Sequence, residues 1–260
     1  MTLLREIRGF VFDLDGCVWS GDALNPGAGE TLAALHRAGR RLAYLTNNSR
    51  ATGAEIRRRL HALGVAAAEH CLTPLEIIGE VIAARCGPSR VLVIGAAELA
   101  EVIAGAGHEV LDVKDYARAA VVAVGNDFDL TYERLTAAAR AARRGALLIT
   151  PNLDVRLPIE GGEFLPGCGA IVAAVAAAAG VSPVVVGKPE PPLFRMALDR
   201  MGLAPGAAAM VGDSVPSDIR GAHAVGMTTV FYAPAGGAPA GEADVVVGSF
   251  AELARLAGVA

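Results

Sequence analysis

The sequence predicts an α/β fold with a mostly parallel sheet covered by helices on both faces. Three observations lead there. Short apolar runs of strand length alternate repeatedly with helix-length segments. That alternation is the pattern of βαβ units, whose sheets are buried on both sides. Hydrophobic residues make up 53% of the 260 positions and charged ones 19%, enough to bury a sizeable core and too apolar for a disordered chain. The length allows one large domain or one domain carrying a second.

The elements follow in order. Ile7–Phe12 is a short apolar run ending at Asp13 and reads as a buried strand. Thr31–Arg37 follows as a helix behind Pro26 and two glycines, and Arg41–Thr46 reads as the next strand. Ala54–Leu63 is an amphipathic helix stopped by Gly64. Arg90–Ile94 opens a second βα series, with Glu98–Ala104 as its helix. Ala119–Val124 and Ala146–Thr150 are strands around a helix at Tyr132–Arg143, and Gly169–Ala179 is an alanine-rich helix. Then come a strand at Val184–Val186, a helix at Pro192–Met201 and a strand at Ala208–Val211. A helix at Ile219–Ala224 and strands at Thr228–Phe231 and Val245–Val247 complete the series. Pro234–Gly241 is a surface loop by composition.

Composition excludes several classes. A net charge of −4 argues against a generally basic nucleic-acid-binding surface. Mean hydropathy is +0.44. Yet the longest apolar run, Ala170–Val181, is alanine-rich and falls short of the ~20 residues that span a bilayer. The first residues hold no apolar core of signal-peptide length. Cys17, Cys71, Cys86 and Cys168 form neither a CxxC pair nor a zinc spacing, so a reducing cytoplasm is the simplest setting. Lys114 and Lys188 are the two lysines among 23 basic residues, which makes each slightly informative.

Four segments place polar clusters after apolar strands. Phe12-Asp13-Leu14-Asp15-Gly16 carries two aspartates two apart, which point the same way out of a strand end. Turn chemistry is the competing account, and an EF-hand fails for want of a spaced ligand series with a closing Glu. Thr46-Asn47-Asn48-Ser49 offers hydroxyl and amide donors before a helix, which suit an anion, although a helix cap alone would use them too. Gly187-Lys188-Pro189-Glu190-Pro191 leaves Lys188 between a buried strand and a proline turn. Gly212-Asp213-Ser214-Val215-Pro216-Ser217-Asp218 again ends an apolar strand in an aspartate, with a second five residues on. Together these put Asp13, Asp15, Asp213 and Asp218 at one sheet edge with Lys188, Thr46 and Asn47. Gathered carboxylates repel and need a cation, and hard oxygen ligands without His or Cys favour Mg²⁺. A lysine and amide donors beside that cation would bind phosphate. The chemistry so indicated is Mg²⁺-assisted phosphoryl transfer.

This order of motifs resembles the haloacid dehalogenase (HAD) superfamily of aspartate-nucleophile phosphatases. The long stretch between the second and third motifs is similar to the α/β cap of subclass IIA, the p-nitrophenylphosphatase-like group. Gly125-Asn126-Asp127, Asn152-Leu153-Asp154 and Leu165-Pro166-Gly167 resemble its cap motifs. The resemblance implies a Rossmann-like parallel-sheet HAD core at 1–85 and 183–260 with an inserted α/β cap at 86–182. It implies that Asp13 attacks phosphorus to form an aspartyl-phosphate, that Asp15 is general acid then base, and that Lys188, Thr46 and Asn47 hold phosphate. Asp13, the Asp15 carbonyl and Asp213 would ligate Mg²⁺, with Asp218 beside them. Val215-Pro216-Ser217 departs from the subclass, which usually has a longer polar residue there, but Asp213 and Asp218 stay in place.

The resemblance also implies substrates such as phosphoglycolate, glycerol phosphate, pyridoxal phosphate or nucleotides. The segment at 152–158 looks most like bacterial glycerol-phosphate phosphatases. In the loop from Asn152 to Ile159, Asp154, Val155 and Arg156 are expected nearest the substrate, with a solvated Arg156 as the competing account. Arg57-Arg58-Arg59 reads as a solvated helix face, and Trp19 as lining the entrance or packing. The expected partner is a small phosphorylated metabolite, with no nucleic acid and no membrane; the resemblance leaves a homo-oligomer through the cap open, and no interface is legible in the sequence. Two alternatives stand beside hydrolysis: a phosphotransferase or mutase using the same intermediate, and a phospholigand-binding module without catalysis.

Overall fold

The structure is a computed structural model, and it describes residues 3–158, 163–234, 236 and 241–260. In chain order the strands are β1 (Gly9–Asp13), β2 (Trp19–Ser20), β3 (Ala23–Leu24), β4 (Arg41–Leu45), β5 (His70–Leu72), β6 (Arg90–Ile94), β7 (Glu109–Leu111), β8 (Val121–Val124), β9 (Leu147–Thr150), β10 (Arg156–Pro158), β11 (Phe164–Pro166), β12 (Val184–Val185), β13 (Ala208–Gly212), β14 (Thr228–Tyr232) and β15 (Val245–Val247). The helices are α1 (Ala28–Arg37), α2 (Gly53–Ala62), α3 (Pro74–Cys86), α4 (Ala97–Gly105), α5 (Tyr132–Arg143), α6 (Cys168–Ala179), α7 (Pro191–Met201), α8 (Arg220–Ala224) and α9 (Phe250–Ala257). Ile159 and most of the Pro234–Gly241 loop lie outside the described residues.

The chain divides into two compact units. The first takes residues up to Thr46, Ala51–Thr73 and Lys188 onward; the second takes Asn47–Arg50 and Pro74–Gly187. The first is built on a six-stranded sheet of order β15-β14-β13-β1-β4-β5, every pair parallel. All five residues of β1 are buried, as expected of a central strand with both faces covered. Aromatic rings fill one face: Phe12 lies 6.1 Å from Tyr44 and 6.3 Å from Phe250 between ring centroids. Helix α2 starts on a capping box in which the Thr52 hydroxyl and the Glu55 carboxylate exchange bonds with each other's backbone N–H.

The second unit has its own parallel sheet, ordered β12-β9-β8-β6-β7, and an antiparallel hairpin of β10 and β11. The chain passes between the two units at 73/74 and 187/188, so α3 and β12 fall in the second. Two packing facts put them there. Helix α3 packs on α4, and Gly79 brings the two so close that a Cβ would stand 3.3 Å from the Val102 carbonyl oxygen. Strand β12 pairs with β9, Val184 opposite Ile149, so Lys188 does not follow a strand of the six-stranded sheet. Among the described residues, no helix is long and apolar enough to cross a membrane.

Candidate active site

Register decides which polar residues meet in the first unit. Strand β1 lies between β13 and β4, with Phe12 opposite Val211 and Asp13 opposite Leu45. The chain leaves β1 for β4 and β5 on one side, and later builds β13, β14 and β15 on the other. Strand order therefore reverses at β1, and open α/β sheets place their sites at the carboxyl ends of strands at such a switch point. Asp13 closes β1, Thr46 follows β4, and Asp213 follows β13.

The Asp13, Asp213 and Asp218 carboxylates each offer an oxygen within 4.8 Å of the others. Lys188 joins them from the start of the segment leading to α7. Its ammonium bonds the Asp13 carboxylate and lies 2.7 Å from Asp218 Oδ1, and all three side chains are buried. Asp218 sits on a π-helical turn, Val215–Ile219, and its other oxygen accepts the Ser214 N–H at 3.1 Å. Two glycines make room. A Cβ on Gly212 would stand 2.6 Å from Asp218 Cβ. Gly16, at φ +90°, brings the backbone after Asp15 so close to Asp213 that a Cβ would stand 2.9 Å from its Cγ.

Burial is the largest influence on Asp13 and pushes its carboxyl up to about 7; Lys188 pulls it down, and Asp218 and Asp213 push it up again. Burial alone would lower Lys188, but Asp13 and Asp218 outweigh it and hold the ammonium above its ordinary value. Asp213 is raised, by partial desolvation first and then by Asp218. Three clustered carboxylates thus face one ammonium, a formal charge of −2. The donor set is all oxygen and electron-rich, which fits a hard divalent cation such as Mg²⁺.

Asp15 takes a different path. Its side chain leaves the cluster, with Oδ1 accepting Trp19 Nε1–H at 2.8 Å and Oδ2 accepting the Thr46 hydroxyl at 3.1 Å. Trp19 is 1% exposed, so it packs and does not line an entrance. Arg57 and Arg58 are exposed, as the charge run suggested. Arg59, half-exposed beside them, also lays its guanidinium 4.3 Å from the centroid of the Trp19 ring.

In the second unit, Asn152 is buried and organises its surroundings. Its amide donates to the Asn47 carbonyl at 2.9 Å, and its side-chain oxygen accepts from Asp154 N–H at 3.0 Å and the Cys168 thiol at 2.6 Å. Asp154, Val155 and Arg156 are exposed there, and Arg156 stacks 4.7 Å from the Phe164 ring. Sequence reasoning passed over a pocket of about 140 Å³ in this unit, lined by residues that include Ser49, Arg50, Glu98, Asn126 and Phe128. Among the described residues the buried Asn126 side-chain oxygen has no hydrogen-bond partner. The only available signal was its place in Gly125-Asn126-Asp127, which says nothing of which atoms are left unpaired.

Comparison with known proteins matches this geometry. A haloacid dehalogenase-like hydrolase profile matches residues 10–109, and a HAD-hydrolase-like profile matches residues 185–253. The chain is 34% identical over 228 residues to the acid sugar phosphatase of Staphylococcus saprophyticus, covering 87% of this chain and 86% of that one. It is 34% identical to chronophin of Mus musculus, over 88% of this chain and 81% of that one. Among solved structures, the 4-nitrophenylphosphatase of Thermotoga maritima superposes with a TM-score of 0.85 at 30% identity, over 98% of this chain and 99% of that one. The glycerol phosphate phosphatase of Mycobacterium tuberculosis, in complex with magnesium, gives 0.77 at 33% identity, over 89% and 70%. An aspartate cluster clamped by a buried lysine at a strand-order switch point, and relatives of this kind along nearly the whole chain, lead to one statement: the protein belongs to the phosphatases of the haloacid dehalogenase-like hydrolase family, in its p-nitrophenylphosphatase-like subclass IIA.

Proposed function

We propose that the protein hydrolyses small-molecule phosphate monoesters with Mg²⁺, through an aspartyl-phosphate on Asp13. The observation that carries this reading is the buried ammonium of Lys188 shared between Asp13 and Asp218, with Asp213 completing the cluster. Asp13, Asp213 and the backbone carbonyl of Asp15 would hold the cation, and Asp218 would hold Lys188. The bound cation would supply charge neutralisation for the approach of a phosphate dianion to a carboxylate. Asp13 needs no base to act as nucleophile once ionised. Lys188 offsets charge on the transferring phosphoryl group. Asp15 protonates the leaving oxygen and then accepts a proton from the attacking water. Asn47 and Thr46 hold phosphate oxygens, Thr46 after its hydroxyl turns away from Asp15.

Substrate selection is assigned to the second unit, with Asp154, Val155 and Arg156 as the candidate selectivity loop. Relatives named for sugar phosphates and for glycerol phosphate support a small polyol or sugar ester as substrate. Four free thiols support a reducing, cytoplasmic setting. The test is phosphate release from p-nitrophenyl phosphate, glycerol phosphate, phosphoglycolate, pyridoxal phosphate, nucleotides and sugar phosphates, each with Mg²⁺ and with EDTA. Mg²⁺-dependent release that Asp13→Asn abolishes is the expected result. Folded protein that binds Mg²⁺ but releases phosphate from no ester would overturn the reading in favour of a transferase or a binding module.

A further inference from the structure

A general acid works only if its proton points at the leaving oxygen, so the side chains that orient Asp15 matter. The structure supplies two bonds, one to each carboxylate oxygen, from Trp19 and Thr46. The two are not equivalent. A threonine hydroxyl has one proton. If Thr46 turns to a phosphate oxygen, its bond to Asp15 is given up. The indole N–H has no second task, and Trp19 remains the group holding Asp15.

The surroundings lock the indole in place. Trp19 N–H bonds the Leu14 carbonyl at 3.0 Å, and its own carbonyl accepts from Gly16 N–H at 2.8 Å. Asn25 Nδ2 ties down the Gly16 and Cys17 carbonyls at 3.0 and 2.6 Å. Above the ring, the Arg59 guanidinium is itself held by the Gly21 carbonyl and by Asp22 at 3.4 Å. A buried ring with its N–H aimed at a carboxylate and a cation on its face has little rotational freedom.

We propose that Trp19 is a positioning residue for proton transfer: its indole N–H holds the Asp15 carboxyl in the orientation from which Asp15 protonates the leaving group. This rests on the assignment of Asp15 as general acid and base. As an Asp13 oxygen bonds to phosphorus and the ester P–O bond breaks, the Asp15 proton moves to the departing alkoxide and leaves a neutral alcohol. Water then attacks phosphorus, breaks the Asp13–phosphorus bond, and returns a proton to Asp15. An alkoxide needs that first proton; 4-nitrophenolate, a far weaker base, leaves without it.

The experiment compares kcat/KM, which reports the chemistry up to formation of the aspartyl-phosphate, for two esters in the full chain with Mg²⁺. One is p-nitrophenyl phosphate; the other is the alkyl phosphate that the wild type turns over fastest, glycerol phosphate first. Trp19→Phe keeps an aromatic ring under Arg59 and removes the N–H. Its kcat/KM is expected to fall at least about tenfold on the alkyl ester and less than about threefold on p-nitrophenyl phosphate. In an Asp15→Asn background the same substitution is expected to change neither. Trp19 is the single tryptophan of the chain. If the phenylalanine variant does not fold, replacing that tryptophan biosynthetically by benzothienylalanine keeps the bicyclic shape without the N–H. Equal losses on both esters, or none on either, overturn the proposal while wild-type activity and its loss in Asp13→Asn leave the phosphatase reading standing. A wild type that hydrolyses no ester overturns both.

Discussion

At the scale of single residues, one buried ammonium holds together carboxylates that would otherwise repel. Removing one partner of a buried ionic network is costly because the others stay buried without compensation, typically about 3–5 kcal/mol. Lys188→Met in metal-free protein is expected to lose stability of that order in urea unfolding; a loss below about 1 kcal/mol would show that water reaches Asp13 and Asp218 freely. Asp13 also titrates in a revealing direction. Its native carboxyl is raised from 3.8 to about 7, so between those values the folded chain keeps a proton that the unfolded chain has released. The stability it contributes is present below about pH 4 and lost as pH rises through about 7. Asp13→Asn lacks this titration. Measured in EDTA, the variant is expected to gain stability relative to wild type between pH 4 and pH 7. A difference that stays flat over that range would contradict the buried placement of Asp13.

At the scale of elements, two helices escaped the sequence reading for opposite reasons. Helix α3 buries Leu75, Ile77, Ile78, Val81 and Ile82, so its apolar face is broad and its period faint. Helix α9 is short, yet strongly amphipathic, with Ser249 capping its start and Gly258 ending it at φ +74°. Leu253 is 1% exposed on its buried face, and Leu253→Ala is expected to cost about 2–5 kcal/mol in chemical denaturation. The cap of α2 is a milder case. Thr52→Ala removes the side-chain acceptor of Glu55 N–H and is expected to cost about 1 kcal/mol. A loss of 3 kcal/mol or more there would mean that Thr52 does something besides capping.

At the scale of the whole molecule, a cation held by the proposed site would link metal and stability. A ligand that binds only the folded state stabilises it by about 2.7 kcal/mol at a hundred times its dissociation constant. Mg²⁺ is therefore expected to raise Tm progressively with concentration, and EDTA to reverse the rise. Asp213→Asn is expected to abolish most of the shift while leaving the metal-free Tm nearly unchanged, because Asp213 is the exposed member of the cluster. A Tm shift that survives this substitution would place the cation elsewhere.

The linear chain by itself determined the α/β class, the order of most strands and helices, and which residue types could do phosphoryl chemistry. Those are short-range matters: apolar runs of strand length, helical periodicity, and carboxylates at strand ends repeat in sequence what they do in space. It also placed Asp13 and Asp213 in one neighbourhood, because parallel strands bring their carboxyl ends to the same sheet edge; it expected Lys188 there for the same reason, although Lys188 follows a strand of the other sheet. Only the tertiary structure decided how they are arranged. That Lys188 arrives from beyond a strand of the other sheet, that Asp218 clamps it, and that Asp15 turns to Trp19 and Thr46 depend on register, on a π-helical turn and on glycines that admit close approach. Trp19 lies four residues from Asp15, and nothing in that spacing says whether the ring packs, gates or bonds. Arg59 comes from a separate helix, so its stacking on that ring exists only once α2 has docked. Hydrogen-bond direction and burial are properties of the assembled sheet, and they are what turn a list of polar residues into a site.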